Sequence, residues 1–170
     1  MITAILIIIL ILNLAVLITF GAMVWGGAPY VPSRSTSVEK MMTLANIQAG
    51  EKAADLGSGD GRVVIAMAQQ GAEAHGFENN PVLVFVARRN IRKAGLTGKA
   101  FIHWKNFWNA DFSNFNVISV YAMPYIMGRL HRKMKREMKH GSRIISNAFE
   151  FKHEIPIKKE KGVYLYEISK

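Results

Sequence analysis

The sequence predicts an α/β fold: a doubly wound, mostly parallel β-sheet that ends in an antiparallel hairpin and is preceded by one N-terminal transmembrane helix. Three observations predict it. Short apolar segments alternate with amphipathic helical segments over residues 50–149, and a glycine-rich turn follows the first of these apolar segments. In addition, residues 2–25 contain no charged side chain. Strands that alternate with helices in this way form a parallel sheet with right-handed crossovers.

The apolar segment at residues 2–25 is long enough to cross a bilayer, because 24 helical residues extend about 36 Å. We therefore expect a single transmembrane helix within residues 1–27. A secretory signal peptide would need a basic start, a shorter apolar core and a small-residue cleavage site, which the segment lacks in clear form. Two further interpretations are an interfacial helix and an apolar helix buried in the domain.

The distribution of charge predicts the orientation of this helix. Arg34 is the first charged residue of the chain, and the 22 Lys and Arg residues outnumber the 12 Asp and Glu residues. All of the basic excess thus follows the apolar segment, and the positive-inside rule places that part of the chain on the cytoplasmic side of a membrane. The net charge of +10 indicates an anionic partner, either lipid headgroups, nucleic acid or an acidic protein surface.

The composition also excludes several kinds of site. Because the chain has no cysteine, it cannot form a disulfide, a thiolate nucleophile or a cysteine-based zinc site. The five histidines do not follow the spacing of metal ligands. We therefore expect no bound metal.

Residues 28–49 are predicted to form a linker and one capping helix. Residues 36–39 (TSVE) fit a capping box, in which side chains at the start of a helix accept hydrogen bonds from its backbone N–H groups. The helix should end near Gln48, before Gly50. Its apolar face is predicted to contain Val38, Met41, Met42 and Ala45.

The first predicted strand covers residues 52–56 and leads into a glycine-rich turn at residues 55–62 (DLGSGDGR). A helix should follow over residues 62–70 and stop at Gly71. Open α/β sheets bind their ligands at the carboxyl ends of their strands. We therefore expect this turn to bind a ligand.

The spacing of Gly57, Gly59 and Gly61 indicates the class of ligand. Glycines at alternate positions allow a sharp turn and leave no Cβ between the backbone and a ligand. A dinucleotide fingerprint would need its third glycine at Arg62, and the Gly-Lys-Ser/Thr ending of a phosphate loop is absent. The turn thus predicts a nucleotide-like ligand of another kind, with an ordinary loop as the alternative.

The second predicted strand covers residues 72–78 and ends in an acid, Glu78. In nucleotide-binding α/β folds an acid at this place accepts hydrogen bonds from ribose hydroxyls. The simpler alternative is an exposed acid at the end of a strand. The next helix should be capped by Asn80, begin at Pro81 and stop at Gly95.

A third strand is predicted over residues 99–104 and is followed by Asn106, Phe107 and Trp108. The side-chain amide of Asn106 could contact the edge of an adenine ring, with Phe107 or Trp108 beside the ring. Packing of both aromatic side chains in the core is the alternative.

The fourth predicted strand, at residues 117–121, leads to Pro124 and Tyr125 at the edge of the sheet where α/β folds build their sites. A helix over residues 126–140 should follow, and its basic face meets either water or an anionic lipid or substrate. The remaining strands are predicted over residues 143–149, 155–159 and 163–168, the last two as an antiparallel hairpin.

The motifs occur in an order that resembles the Rossmann-like class I S-adenosylmethionine-dependent methyltransferases: the glycine turn, residues 78–81 (ENNP), residues 106–108 (NFW) and residues 123–124 (MP). The apolar segment followed by residues 29–33 (PYVPS) is more narrowly similar to the membrane-anchored lysine methyltransferases of the mitochondrial ATP synthase c subunit and adenine nucleotide translocase, and to their prokaryotic relatives.

The resemblance implies a methyltransferase domain over residues 50–170 that uses S-adenosylmethionine. It implies methyl transfer to a lysine side chain of a membrane protein, by an enzyme held at the bilayer and in reach of anionic lipid headgroups. Nucleic acid is not expected as a partner, because residues 122–125 (AMPY) lack the amide or acid of the Asn/Asp-Pro-Pro-Tyr loop of DNA amino-methylases.

The resemblance also implies roles for individual residues. Asp55, Gly57 and Gly59 would hold the methionine end of the cofactor, Glu78 its ribose and Asn106 its adenine side. The other predicted cofactor-binding residues are Tyr30, Ser58, Gly61, Asn79 and Phe107. The predicted catalytic residues are Tyr121, Pro124 and Tyr125, and the two tyrosines would line a lysine channel together with Tyr30.

This chain departs from the family at two positions, because Asn106 and Asn116 stand where the family usually has acids. The departure at Asn106 bears on the affinity for the cofactor. Three other functions remain possible: methylation of a lipid headgroup or small amine, a non-catalytic cofactor-binding or membrane-tethered interaction protein, and methylation of nucleic acid.

Overall fold

A computed structural model of the chain describes residues 3, 6–14, 31–152 and 154–169. The chain divides into two compact units, Met1–Val31 and Pro32–Lys170. In the first unit residues 6–14 belong to a helix, α1, whose apolar side chains are exposed. Within the described ranges, no helix has the length and apolar character needed to span a bilayer. Most of the segment predicted to be transmembrane lies outside those ranges.

The second unit contains a seven-stranded sheet with the strand order β3-β2-β1-β4-β5-β7-β6. Strands β1 to β5 pair in parallel, whereas β7 pairs antiparallel with both β5 and β6. This arrangement confirms the predicted mostly parallel sheet with a C-terminal antiparallel hairpin. The strands are β1 (Lys52–Leu56), β2 (Glu73–Glu78), β3 (Ala100–Trp104), β4 (Val117–Val120), β5 (Arg143–Asn147), β6 (Lys158–Glu160) and β7 (Val163–Glu167).

Helices pack on both faces of this sheet, because consecutive strand residues point to opposite faces. Ala53 of β1 belongs to a buried cluster with residues of α2 (Ser35–Ala45), α3 (Arg62–Gln69) and α4 (Pro81–Lys93). Ala54 of β1 belongs to a second buried cluster with residues of α5 (Pro124–Glu137). The sheet is thus buried from both sides, as expected for parallel strands.

The start of α2 differs from the prediction. The helix is preceded by Arg34, whose carbonyl oxygen accepts hydrogen bonds from the N–H groups of Ser37 and Val38 (2.9 and 3.0 Å), and no side chain caps it. The predicted capping box at residues 36–39 is therefore wrong, since those residues already lie inside the helix. The helix ends at Ala45, earlier than predicted, because the next residue has a left-handed backbone (φ 45°).

The ends of three later elements also differ from the prediction. Helix α5 begins at Pro124, which fits the first turn of a helix because its missing N–H has no partner to lose there. Strand β5 stops before Ala148, whose φ of 70° breaks the extended backbone. The hairpin strand β6 lies later than predicted, because a two-residue turn with positive φ at Lys161 and Gly162 sets its register against β7.

Candidate functional site

The glycine turn leaves the carboxyl end of β1 at the point where the strand order reverses, with β2 on one side of β1 and β4 on the other. Gly57, Gly59 and Gly61 have φ values of 81°, 52° and 84°, in the left-handed region that favours glycine. The N–H groups of Gly57 and Ser58 both donate to the carbonyl oxygen of Phe77 (2.9 and 3.0 Å). These bonds fasten the turn to β2.

Two glycines of the turn serve different purposes. A Cβ at Gly57 would meet no atom of the described residues within 4 Å, so this part of the turn is open to a ligand. A Cβ at Gly61 would instead lie 3.0 Å from the Cβ of Ala87 in α4. Gly61 thus allows the start of α3 to pack closely on α4.

Glu78 joins the end of β2 to the glycine turn. Its Oε2 atom accepts a hydrogen bond from the N–H of Gly59 (2.9 Å), and its Oε1 atom accepts bonds from the N–H groups of Asn79 and Asn80 (2.8 Å each). A carboxylate has about four acceptor positions, and these bonds use three of them. The buried side chain therefore keeps an acceptor position beside the open turn.

Asp55, the single acid of β1, is buried and accepts a hydrogen bond from the hydroxyl of Ser119 in β4 (2.8 Å). Burial raises the pKa of Asp55 to about 7, and the negative charges of Glu78 and Asp60 add to the rise, whereas the Ser119 hydrogen bond lowers it. The carboxyl group can thus gain or lose a proton near neutral pH.

Ser58 contributes to the turn through packing. Its hydroxyl is buried and has no hydrogen-bond partner among the described residues. A Cβ at Gly76 would lie 2.6 Å from this oxygen, so the Ser58 side chain packs directly against the backbone of β2. The sequence prediction of a cofactor contact at Ser58 remains a prediction.

The chain before α2 is held at the same edge of the sheet. Arg62 pairs with Asp60 (2.7 Å) and donates from its Nη1 atom to the carbonyl oxygen of Ser33 (2.7 Å). The side-chain amide of Asn147, at the end of β5, donates to the hydroxyl of Ser33 (3.2 Å). Ser33 therefore bridges the start of α3 and the end of β5.

The predicted adenine contact lies on the loop that follows β3. The N–H of Lys105 donates to the carbonyl oxygen of Glu78 (3.0 Å), which places this loop beside the end of β2. Asn106 is exposed, and its Oδ1 atom accepts a bond from the N–H of Trp108 (3.0 Å). Its side-chain N–H₂ group can donate a hydrogen bond to a ligand. Phe107 and Trp108 are partly buried and pack against the core.

The predicted catalytic residues lie at the carboxyl end of β4. Tyr121 is 38% exposed, and its ring stacks on that of Phe149 with 6.3 Å between centroids. Pro124 is the first residue of α5, and Tyr125 is 79% exposed. Tyr30 lies outside the described residues. The fold thus brings together the ends of β1, β2, β3 and β4, from which most of the predicted site residues come.

Sequence reasoning missed four residues of this edge: Ser33, Arg62, Ser119 and Asn147. Ser119 carried a signal, because it is a polar residue inside an otherwise apolar strand (VISV). Ser33 and Arg62 lie in the motifs at residues 29–33 and 55–62, but their contact with each other, like that of Asn147 with Ser33, joins segments that are distant in the sequence.

The family model described as ANTKMT methyltransferase domain matches residues 55–158. The chain is 34% identical over 128 residues to the lysine N-methyltransferase of the ATP synthase c subunit from Homo sapiens, a match over 75% of this chain and 54% of the relative. It is 35% identical over 151 residues to a protein-lysine N-methyltransferase of Saccharolobus islandicus (strain REY15A), over 83% of this chain and 94% of the relative. The chain thus spans about half the length of the human relative.

Among solved structures, the chain is similar to an RNA methyltransferase from Salinibacter ruber in complex with S-adenosyl-L-homocysteine. The TM-score is 0.78 at 30% sequence identity, over 81% of this chain and 94% of that one. These similarities agree with the resemblance that the motifs indicated. The chain belongs to the ANTKMT methyltransferase family.

Proposed function

We propose that the protein is an S-adenosylmethionine-dependent methyltransferase whose acceptor is a lysine side chain of another protein. The observation that carries the proposal is the hydrogen bond between the N–H of Gly59 and the Oε2 atom of Glu78. It places a buried carboxylate beside an open glycine turn at the reversal of the strand order, where α/β sheets bind nucleotide-like ligands. Membership of the family and the names of the lysine-methylating relatives support the same reaction.

The residues around the turn fit this cofactor. Gly57 leaves the backbone accessible, Glu78 keeps an acceptor position for a ribose hydroxyl, and Asp55 offers a carboxyl group to a cationic part of the ligand. Asn106 would contact the adenine side through its N–H₂ group. When bound, S-adenosylmethionine supplies a methyl group attached to a positively charged sulfur.

The acceptor lysine must be neutral to react. Removing its proton at pH 7 costs about 4 to 5 kcal/mol from a reference pKa of about 10.4. A partly desolvated amine loses the proton more easily. Tyr121, Met123 and Phe149 offer apolar surface at the carboxyl end of β4, and Tyr121 and Tyr125 carry hydroxyl groups that can orient the amine. Holding the amine in line with the methyl group is the main contribution expected of these residues.

The proposed substrate is a membrane protein, and the proposed location is a membrane that residues 2–25 cross once, with the catalytic domain on the cytoplasmic side. The uncharged sequence of this segment and the exposed apolar side chains of α1 support the proposal. Confinement with a membrane substrate raises the effective concentration of the two partners. A chain without residues 1–25 should therefore methylate membrane-embedded substrate more slowly, while its affinity for S-adenosylhomocysteine stays unchanged.

The predicted lipid contact of the basic face of α5 remains part of this proposal. Lys133 pairs with Glu137 (2.7 Å) and Lys135 with Glu154 (2.9 Å), so these two amines already have acidic partners in the chain. Arg132 is exposed on the same helix. Anionic headgroups would thus meet exposed side chains such as Arg132 rather than the whole face.

An RNA acceptor is the second candidate. The net charge of +10 favours it, and so does the similarity to an RNA methyltransferase. A lipid headgroup or small amine is a further alternative acceptor. A non-catalytic cofactor-binding protein would bind the cofactor and label none of these molecules.

The experiment that tests these candidates offers all acceptors to the full chain together with methyl-labelled S-adenosylmethionine. Separate reactions contain a membrane-protein fraction, total RNA, and liposomes that include an amine headgroup. We expect label in protein, released by acid hydrolysis as methylated lysine. Glu78→Ala should abolish the labelling, whereas Glu39→Ala, which removes an exposed acid of α2, should not. Label found only in RNA or lipid would contradict the proposal.

A further inference from the structure

Ser119 and Asp55 form a buried pair across two neighbouring strands. They are directly opposite each other in the register of β1 and β4, and Ser119 is fully buried. A buried hydroxyl group lowers stability unless it finds a hydrogen-bond partner. Here the Ser119 hydroxyl donates to Oδ1 of Asp55 at 2.8 Å. An apolar residue would otherwise suit this position, as it does at the other three positions of β4.

The charged groups around Asp55 make this hydrogen bond important. Glu78 of β2 and Asp60 of the turn face it with negative charge, and Asp60 itself pairs with Arg62. Strand β4 contributes the neutral Ser119. Burial and both acids disfavour the carboxylate form of Asp55, and among the described groups that act on it only Ser119 favours that form.

We propose that Ser119 is a positioning residue for cofactor binding, whose hydroxyl favours the charged form of the Asp55 carboxylate and holds it in one orientation for a cationic group of the ligand. This inference rests on the proposed function. S-adenosylmethionine and S-adenosylhomocysteine both carry an ammonium group, which favours an ionised Asp55. Binding therefore releases the proton that Asp55 holds at low pH. Without the Ser119 hydroxyl, Asp55 keeps this proton to a higher pH and binding requires a higher pH.

The chain offers a matched control in Ser146. This residue is also fully buried, lies in the adjacent strand β5, and donates its hydroxyl to the carbonyl oxygen of Phe149 instead of a carboxylate. Ser119→Ala and Ser146→Ala therefore remove the same atom from neighbouring strands. Only Ser119→Ala removes a hydrogen bond to an ionisable group.

The test is calorimetric titration of the full chain with S-adenosylhomocysteine between about pH 6 and 8.5. Titration of the ligand amine at the upper end of this range affects the wild type and the variants equally, so the comparison between them isolates Asp55. For the wild type, affinity should rise with pH and level off above the pKa of Asp55. For Ser119→Ala, a rise of about one unit in the pKa of Asp55 should weaken affinity about fivefold at pH 7 and close to tenfold at pH 6, and the two curves should converge at the upper end. Ser146→Ala should follow the wild-type curve.

A second readout needs no ligand. Carboxyl carbon NMR of the free chain, with the Asp55 signal assigned from Asp55→Asn, should show the Asp55 titration at higher pH in Ser119→Ala. If Ser119→Ala does not fold, Asp55→Asn takes its place in the calorimetry. The affinity of Asp55→Asn for the ligand should then lack the rise with pH that the wild type shows.

Three outcomes would overturn the inference. Ser119→Ala curves that run parallel to the wild type at every pH would assign Ser119 a merely structural role. If the affinity of Asp55→Asn for the ligand still rises with pH as that of the wild type does, the titrating group is not Asp55. Absence of wild-type binding at every pH would overturn the proposed function, and this inference with it, and is distinguishable from the other two outcomes because they require binding.

Discussion

The Oε2 atom of Glu78 accepts a 2.9 Å hydrogen bond from the backbone N–H of Gly59, 19 residues earlier in the chain. The Oε1 atom accepts bonds from the N–H groups of Asn79 and Asn80 at the entrance to α4. One carboxylate thus fixes both the turn after β1 and the turn after β2. The stability of the site and its capacity to bind a ligand consequently depend on the same side chain.

Glu78→Gln should lower the free energy of unfolding by about 1 to 3 kcal/mol, because an amide N–H₂ would face backbone N–H donors and leave at least one of them without an acceptor. Urea denaturation followed by circular dichroism measures the change. Glu39→Gln alters an exposed acid of α2 and should stay within about 0.5 kcal/mol of the wild type. Equal stability of the two variants would contradict the role given to Glu78.

Gly76→Ala should destabilise the chain by about 1 to 3 kcal/mol, because the new Cβ would lie 2.6 Å from both the Cδ1 atom of Ile102 and the hydroxyl of Ser58. Gly128→Ala in α5 is the matched control. Its nearest neighbour would be the Nη1 atom of Arg132 at 4.0 Å, and alanine should stabilise the helix by about 0.5 to 1 kcal/mol. The unfolding temperature should therefore fall for Gly76→Ala and rise for Gly128→Ala. Unfolding temperatures that shift in the same direction would be inconsistent with the packing of Ser58 on β2.

Asp55→Asn should make the chain more stable than the wild type at pH 8. Burial raises the pKa of Asp55 from 3.8 to about 7. Between about pH 4 and pH 7 the folded chain keeps a proton that the unfolded chain has released, so the stability of the wild type falls as the pH rises. The loss amounts to as much as about 4 kcal/mol when complete. Denaturant titrations at pH 5 and pH 8 measure this loss. If the difference in free energy of unfolding between Asp55→Asn and the wild type does not widen from pH 5 to pH 8, the raised pKa is refuted.

Arg62→Lys should loosen the segment before α2, because lysine cannot bind Asp60 and the carbonyl oxygen of Ser33 with a planar fork. The Arg62 side chain is 39% exposed, so solvent screening limits the expected loss in free energy of unfolding to about 1 kcal/mol. Hydrogen exchange of a peptide covering residues 31–38 should become faster than in the wild type. Arg132→Lys, on the exposed side of α5, should leave that exchange unchanged, and an equal effect of both variants would contradict the contact.

The order of strands and helices was predictable because each element carries its own pattern. The start of α4 was predicted to the residue: the Oδ1 atom of Asn80 accepts bonds from the N–H groups of Val82 and Leu83, and Pro81 occupies the first turn. The start of α2 was not, although a capping box was present in the sequence. Ser33 is held by Arg62 and Asn147, and the helix begins two residues later, so contacts over a long sequence distance outweighed the local signal.

In the candidate site, too, some features were predictable from local sequence patterns and others depend on contacts over a long sequence distance. Glu78 and the glycines were identifiable from their spacing, since that spacing reflects a strand, a turn and a helix in succession. The bond from Ser119 to Asp55 depends on the register of β1 against β4, which is set by pairing over 64 residues of chain. A polar residue in an apolar strand indicated that a partner exists, but only the fold identifies it.

The carbonyl oxygen of Phe77, which accepts hydrogen bonds from the N–H groups of both Gly57 and Ser58, has a consequence for the kinetics of binding. The turn is already ordered in the free chain, so an arriving ligand loses its own conformational freedom without having to order this loop. Association at the turn should then resemble an encounter with a rigid surface, in a single phase whose rate rises linearly with ligand concentration. Differences in affinity among ligands would accordingly arise mainly from how slowly each one leaves.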